Sequence, residues 1–374
     1  MHRRSFLLIV FSILAISLLS LPAILNERPA SKLPSQLGNK EFWKLISDFS
    51  EPSGTFHSEN LVSNEAQYQG IIPDLIKIVK QGQVYVGVGP EQNFTYMTAT
   101  RPAMAFIIDI RRGNLDVHLM YKALFELSAD RAEFVSRLFS RKRPEGLGAA
   151  TKVEDIFAAF TKVPGSRSLY EQNLQTIKNH LRTKHGFALT KGDLEGIEFA
   201  YNSFFVSGPY IEYQLTGWGG SYRRRSAFGI GMGVMGMGGH PTYANLMTAM
   251  DWDGRQHSYL STEERFKFLK DLETRNMVVP IVGDFAGPKA IRAMGSYLKQ
   301  RGAVVSTFYM SNVEQYLSQG TQAMDFCHNV AALPLDSTST LIRSVRGGSS
   351  GGGRFSLSLG AIAAEVISGC GPIP

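Results

Sequence analysis

Two short β-branched runs constrain this chain more than any other feature. VYVGV (84–88) runs into Gly89 and Pro90, and AFIID (105–109) follows about 20 residues on, with a helix-compatible stretch, Gln92–Thr100, between them. Strand, helix and strand at this spacing predict a parallel β-α-β unit. Gly87-x-Gly89 lets the backbone turn sharply and approach a ligand, and the next helix offers free N–H groups at its start. A carboxylate ending the second strand, here Asp109, is placed to accept hydrogen bonds from ribose hydroxyls at the carboxyl edge of the sheet. The dinucleotide fingerprint requires a third glycine three residues after Gly89. Gln92 stands there, which disfavours NAD and FAD.

The rest of the chain extends this pattern. Apolar residues recur at helical spacing within 65–80, with Pro73 near the helix start. Helical patterns fill 116–205, too long for one crossover, so a helical insertion is expected at about 143–205. A glycine-dense stretch, 217–239, holds Arg223, Arg224 and Arg225 beside Trp218 and Tyr222 and reads as a loop or lid. Strands are expected at 277–282, 303–309 and 329–333, with a helix over 290–301. Pro280 weakens the first of these as a central strand, because proline cannot donate to a ladder. A second glycine run, Gly347–Gly353, precedes an apolar tail. The fold class expected is α/β: a doubly wound, mostly parallel Rossmann-like sheet with a helical insertion and glycine-rich loops.

The window 84–112 resembles the first two motifs of class I S-adenosylmethionine-dependent methyltransferases, a hydrophobic strand running into a GxG-type loop and a second strand ending in an acid. The resemblance implies S-adenosylmethionine as cofactor, held by Gly87, Gly89, Pro90, Glu91 and Asp109. Glu91 stands where the family has its third glycine. The resemblance also puts VVPIVGDFAGPKA, with Asp284, at the fourth strand and its active-site loop, and AVVSTFYMSN (303–312) at the fifth. Methyl transfer to a hydroxyl or amine benefits from a base, and Asp284, Tyr309 and Asn312 are the candidates at strand ends, with His240 on the glycine-rich loop as an outsider. The acceptor is not legible. Longer blocks such as VGDFAGPKAIRAMGSYL resemble an uncharacterised bacterial family. The competing expectations are an exported, non-catalytic Rossmann-like module for a small ligand, and an envelope enzyme of another class, although neither a GxSxG elbow nor an HExxH motif is present.

The N-terminus bears on location. Residues 1–25 join a short basic start to an apolar run from Phe6 to Leu21 and read as a signal or membrane anchor, Arg3-Arg4 resembling a twin-arginine signal. The polar stretch 26–40 reads as a linker to a fold starting near Glu41. An exported or membrane-anchored location is therefore expected, with membrane contact through residues 6–25 if the segment is retained. A formal charge of +7 over 374 residues is too mild to argue for nucleic acid. Two cysteines, Cys327 and Cys370, cannot build a disulfide framework, and no metal-ligand spacing is visible. His57, Glu59, Asn64 and Glu65, ahead of the first strand, are candidates for a pocket mouth or a plain polar segment. Asp251-Trp252-Asp253-Gly254 lacks the spaced ligands of a calcium loop and is expected to be a polar turn.

Overall fold

The protein was analysed as a computed structural model, which describes residues 31–213, 240–317, 321–346 and 355–366. The signal or anchor segment, the 217–239 loop and the Gly347–Gly353 run lie outside the described residues. Among the described residues no helix is long and apolar enough to cross a membrane.

The chain folds as mixed α/β around one six-stranded sheet. Its strands are β1 (Val84–Gly87), β2 (Met104–Asp109), β3 (Val278–Val282), β4 (Val305–Ser311), β5 (Thr340–Arg346) and β6 (Phe355–Ala361), in the order β3-β2-β1-β4-β5-β6. The first five are parallel, and β6 returns antiparallel to β5. Every residue of β1, β2 and β3 is buried, which is why they read as unbroken apolar runs instead of alternating ones. β3 lies at the edge, pairing only with β2, and Pro280 stands opposite Ile107. An edge position tolerates a residue without an N–H, so the proline that argues against a central strand is satisfied here.

Thirteen helices are described. The opening pair is α1 (Asn39–Phe49) and α2 (Ile72–Ile78); α3 (Gln92–Thr100) links β1 to β2. Seven lie between β2 and β3: α4 (Arg112–Leu127), α5 (Arg131–Phe139), α6 (Val153–Thr161), α7 (Arg167–Asn179), α8 (Lys191–Ser207), α9 (Tyr243–Thr248) and α10 (Glu263–Thr274). α11 (Ala290–Gln300), α12 (Gln322–Ala331) and the short α13 (Ile362–Glu365) complete the set. The expected insertion thus contains α6, α7 and most of α8. Outside the insertion, Phe94 of α3 anchors an aromatic cluster, lying edge-to-face against Tyr121 and Phe125 of α4 and Tyr259 with centroids 5.2–5.4 Å apart.

Two expectations need correction. The fold begins before residue 41: Leu37 is fully buried, and the Lys32 and Leu37 N–H groups donate to Arg301 O and Arg275 O at 2.7 and 3.0 Å. One apolar anchor in a polar stretch was enough to end the linker early. Residues 329–333 are the end of α12 and the turn after it, not a strand, because Phe326, Cys327 and Val330 bury one helical face. The helix expected within 65–80 to start near Pro73 does so, running Ile72–Ile78 after a 3-10 turn at Tyr68–Ile71.

Candidate functional site

The carboxyl ends of β1, β2, β3 and β4 enclose a cavity of about 290 Å³. It lies where the strand order reverses: β1, β2 and β3 step outward one way, and β4 returns to the other side of β1. The segment 55–64 and Tyr213 complete its wall.

The β1 bend forms one side. Gly87 is a packing glycine: a Cβ there would lie 1.9 Å from Asn93 Oδ1 and 2.8 Å from the Tyr85 ring. Gly89 is a conformational one, with φ +77° and open space where a Cβ would stand. Asn93 ties the bend from below. Its Nδ2 donates to Val88 O at 2.9 Å and Pro90 O at 2.7 Å, and its Oδ1 accepts from the Tyr85 hydroxyl at 2.8 Å. His118 adds a brace 2.9 Å from Gly89 O; burial pushes its pKa down to about 4, so the neutral ring donates Nε2–H to that carbonyl. Gly89 and Pro90 line the cavity, whereas Gly87 and Glu91 do not. Glu91 is fully buried and its Oε1 accepts from Ser63 N at 3.2 Å. Burial raises its pKa to about 8, so this acid supports the segment behind the bend instead of facing a cofactor.

Asp109 lines the cavity at the end of β2, where the sequence places it, but its carboxylate is already engaged. Oδ1 accepts from the backbone N and Nε of Arg111, both at 3.0 Å, and Oδ2 from Nη2 at 2.9 Å. Both side chains are less than a tenth exposed. Arg111 Nη1 donates to Ser58 O at 3.2 Å and to Glu59 O, and the guanidinium lies 6.0 Å from the Phe56 ring centre. A carboxylate has about four acceptor sites, and three are filled; the remaining one, on Oδ2, is available to a ligand hydroxyl. Arg111 was missed by sequence reasoning, although its position two residues after a strand-end acid was the available signal.

Asp284 lines the cavity from the end of β3 as a turn residue. Its Oδ1 accepts from Ala286 N at 2.9 Å. Glu51 fixes the loop: Oε2 accepts from Asp284 N at 3.1 Å, and Oε1 from Lys289 N and Ala290 N, both at 2.8 Å, capping α11. The strand before Asp284 is the third in the chain and 305–311 the fourth, so the assignment of these strands as fourth and fifth is corrected. Among the described residues, the region between β2 and β3 contributes helices and no strand of the sheet, which strand counting from sequence alone did not reveal.

At the end of β4, Tyr309 and Asn312 both line the cavity. Burial, with the Glu65 charge nearby, drives the Tyr309 pKa well up, so it stays a phenol that donates hydrogen bonds and does not act as a base. Ser311, between them, has φ +51°, an uncommon conformation for serine, and its hydroxyl donates to Glu65 Oε1 at 2.8 Å. Gln92 Nε2 donates to Glu65 Oε2 at 2.6 Å and to the Tyr96 hydroxyl at 2.9 Å. Glu65, a pocket-mouth candidate from sequence, is therefore a buried post under Ser311, while Asn64 does line the cavity. His240 stands one ring away, its imidazole 5.4 Å from Tyr213. Asp251–Gly254 is the polar turn expected, with Asp251 Oδ1 accepting from the Asp253 and Arg255 N–H groups at 2.9 and 2.8 Å.

Residues 60–189 and 240–357 match the model of a domain of unknown function, DUF7790. The chain belongs to this family. No curated protein matches it. The DUF7790 match takes in the ends of all four strands around the cavity; of the lining residues only Thr55, Phe56 and Tyr213 fall outside it.

Proposed function

We propose that this DUF7790 chain is a Rossmann-like, doubly wound α/β protein that binds S-adenosylmethionine at the carboxyl edge of its sheet, as the resemblance to class I methyltransferases implies. The observation that carries this reading is the single cavity lined by Gly89, Pro90, Asp109, Asp284, Tyr309 and Asn312, residues chosen from sequence on separate strand ends. The strand order, with a reversal beside β1, supports it. The lining fits the cofactor in part. Gly89 leaves open space, Asp109 Oδ2 keeps one acceptor site, and about 290 Å³ is near the lower end of small-molecule pockets, enough for the adenosine portion. When bound, the sulfonium would supply an activated methyl group. The chain's own part would be positioning, with Asp284 and Asn312 facing the acceptor and Tyr309 donating a hydrogen bond.

One observation favours a second reading, a non-catalytic ligand-binding module: the charge of Asp109 is already met by Arg111. Isothermal titration of the chain with S-adenosylmethionine, S-adenosylhomocysteine and adenosine separates the two. The first reading expects binding of all three, about tenfold weaker in Asp109→Asn, with turnover on some acceptor pool. Binding without turnover supports the module, and no heat from a folded chain with any of the three removes the cofactor.

We place the chain at the cell envelope. The basic and apolar N-terminal run supports this. S-adenosylmethionine is made in the cytoplasm, so a phosphatase fusion that reports which side the body faces bears on both readings.

A further inference from the structure

A second constellation lies outside the cavity. α4 ends near Glu126, and α7 runs into a five-residue π turn, His180–Lys184, closed by His185 N donating to His180 O at 3.1 Å. This wider turn brings His180 and His185 to one carboxylate oxygen: each Nε2 lies 2.7 Å from Glu126 Oε2. All three side chains are less than a tenth exposed.

The hydrogen bonds around His185 determine what that oxygen meets. Asn39 Oδ1 accepts from Asn276 Nδ2 at 3.0 Å, and Asn39 Nδ2 donates to Lys184 O at 3.4 Å, which fixes the amide's orientation. His185 Nδ1 is 3.0 Å from this Oδ1 and must therefore be the protonated nitrogen. In a neutral ring Nε2 is then a bare lone pair facing a carboxylate lone pair. Two acceptors do not hold that separation unless a positive species, a second ring proton or a metal ion, lies between them. The other carboxylate oxygen, Oε1, is taken by Lys122 Nζ at 2.8 Å, so Oε2 is the one left.

We propose that Glu126, His180 and His185 form a zinc-class transition-metal site, ligated through Oε2 and the two Nε2 atoms. The three ligand atoms lie within 4.8 Å of one another. Zinc bonds of about 2.0–2.2 Å in a tetrahedron need ligands roughly 3.3 Å apart, so the two imidazoles open by about half an ångström. The contact from His185 Nδ1 to Asn39 Oδ1 is the outer-shell bond that orients metal-bound histidines. Lys184 Nζ, 3.7 Å from Oε2 on a side chain 63% exposed, is free to swing into solvent. Bound there, an ion would pin the end of α4 to the π turn. The ligands are 54 and 59 residues apart in sequence, so no motif announces them.

The test is titration of the chelator-treated full chain with Co(II), read by its visible d–d bands, followed by displacement with Zn(II). The expected result is one equivalent per chain with the intense bands of tetrahedral coordination, bleached by zinc. The double variant His180→Ala/His185→Ala loses those bands. Asn39→Ala weakens cobalt binding by about 10–100-fold. Absence of tetrahedral bands in the wild-type chain overturns the site, as do unchanged bands in the double variant, which would locate the ion on others of the eight histidines. Should the double variant not fold, an unchanged affinity in Asn39→Ala overturns it equally.

Discussion

The two sides of the cavity are built in opposite ways. At the β1 bend the awkward backbone position is taken by a glycine, Gly89, and the surrounding carbonyls are held by Asn93 and His118. At the β4 end it is taken by Ser311, whose hydroxyl is anchored to a buried acid. The first side achieves its shape without strain. The second keeps a serine in a left-handed conformation, at a cost of about 1–2 kcal/mol that the surrounding contacts must offset. Strain retained where a relaxed alternative exists makes the β4 end, more than the bend, the place to test the proposed ligand contacts.

Four measurements break or sharpen that contrast. The largest effect expected lies behind the bend, at Glu91. Its folded pKa of about 8 exceeds the unfolded value near 4.5, so the folded state holds a proton through that window and stability falls as pH rises across it. The loss is on the order of 4 kcal/mol without relaxation, and Glu91→Gln, which keeps an acceptor for Ser63 N, should remove it. Urea unfolding of both chains at pH 5 and pH 8 checks this; equal pH dependence would mean the carboxyl reaches water. Next, Asn93→Ala deprives the Tyr85 hydroxyl and two bend carbonyls of their partner and should cost about 3 kcal/mol by urea midpoint. Gly89→Ala meets no atom, only an unfavourable φ, and should cost about 1 kcal/mol. Smallest of all, Ser311→Gly relieves a strain of similar size to the hydrogen bond it loses, so its stability should stay within about 0.5 kcal/mol of wild type. A large loss there would erase the contrast between the two sides.

How much of this was legible followed from burial and from distance along the chain. The β1–α3–β2 unit was visible because parallel strands buried on both faces are continuous apolar runs, and the boundaries found, 84–87, 92–100 and 104–109, lie within a residue of those expected. Asn329–Leu333 misled because a short apolar run does not distinguish a strand from the last turn of a helix. Of the residues singled out from sequence, Gly89, Pro90, Asp109, Asp284, Tyr309 and Asn312 line one cavity, as the convergence of strand ends leads one to expect. What sequence could not supply was partnership. The pairing of Asp109 with Arg111, the post that Glu65 forms under Ser311, and the convergence of two histidines on Glu126 all depend on how loops fold back.

Pro280 has one more consequence. It withholds a donor from the outer rim of β3, while Val282 spends its own groups on the preceding loop, its N–H on Ser50 Oγ and its carbonyl on Glu51 N. A visiting strand would find little to zip against on that flank. Any partner that recognises this protein by adding to its sheet is therefore steered to the opposite border, alongside β6, and aggregation through β3 is blocked by the same means.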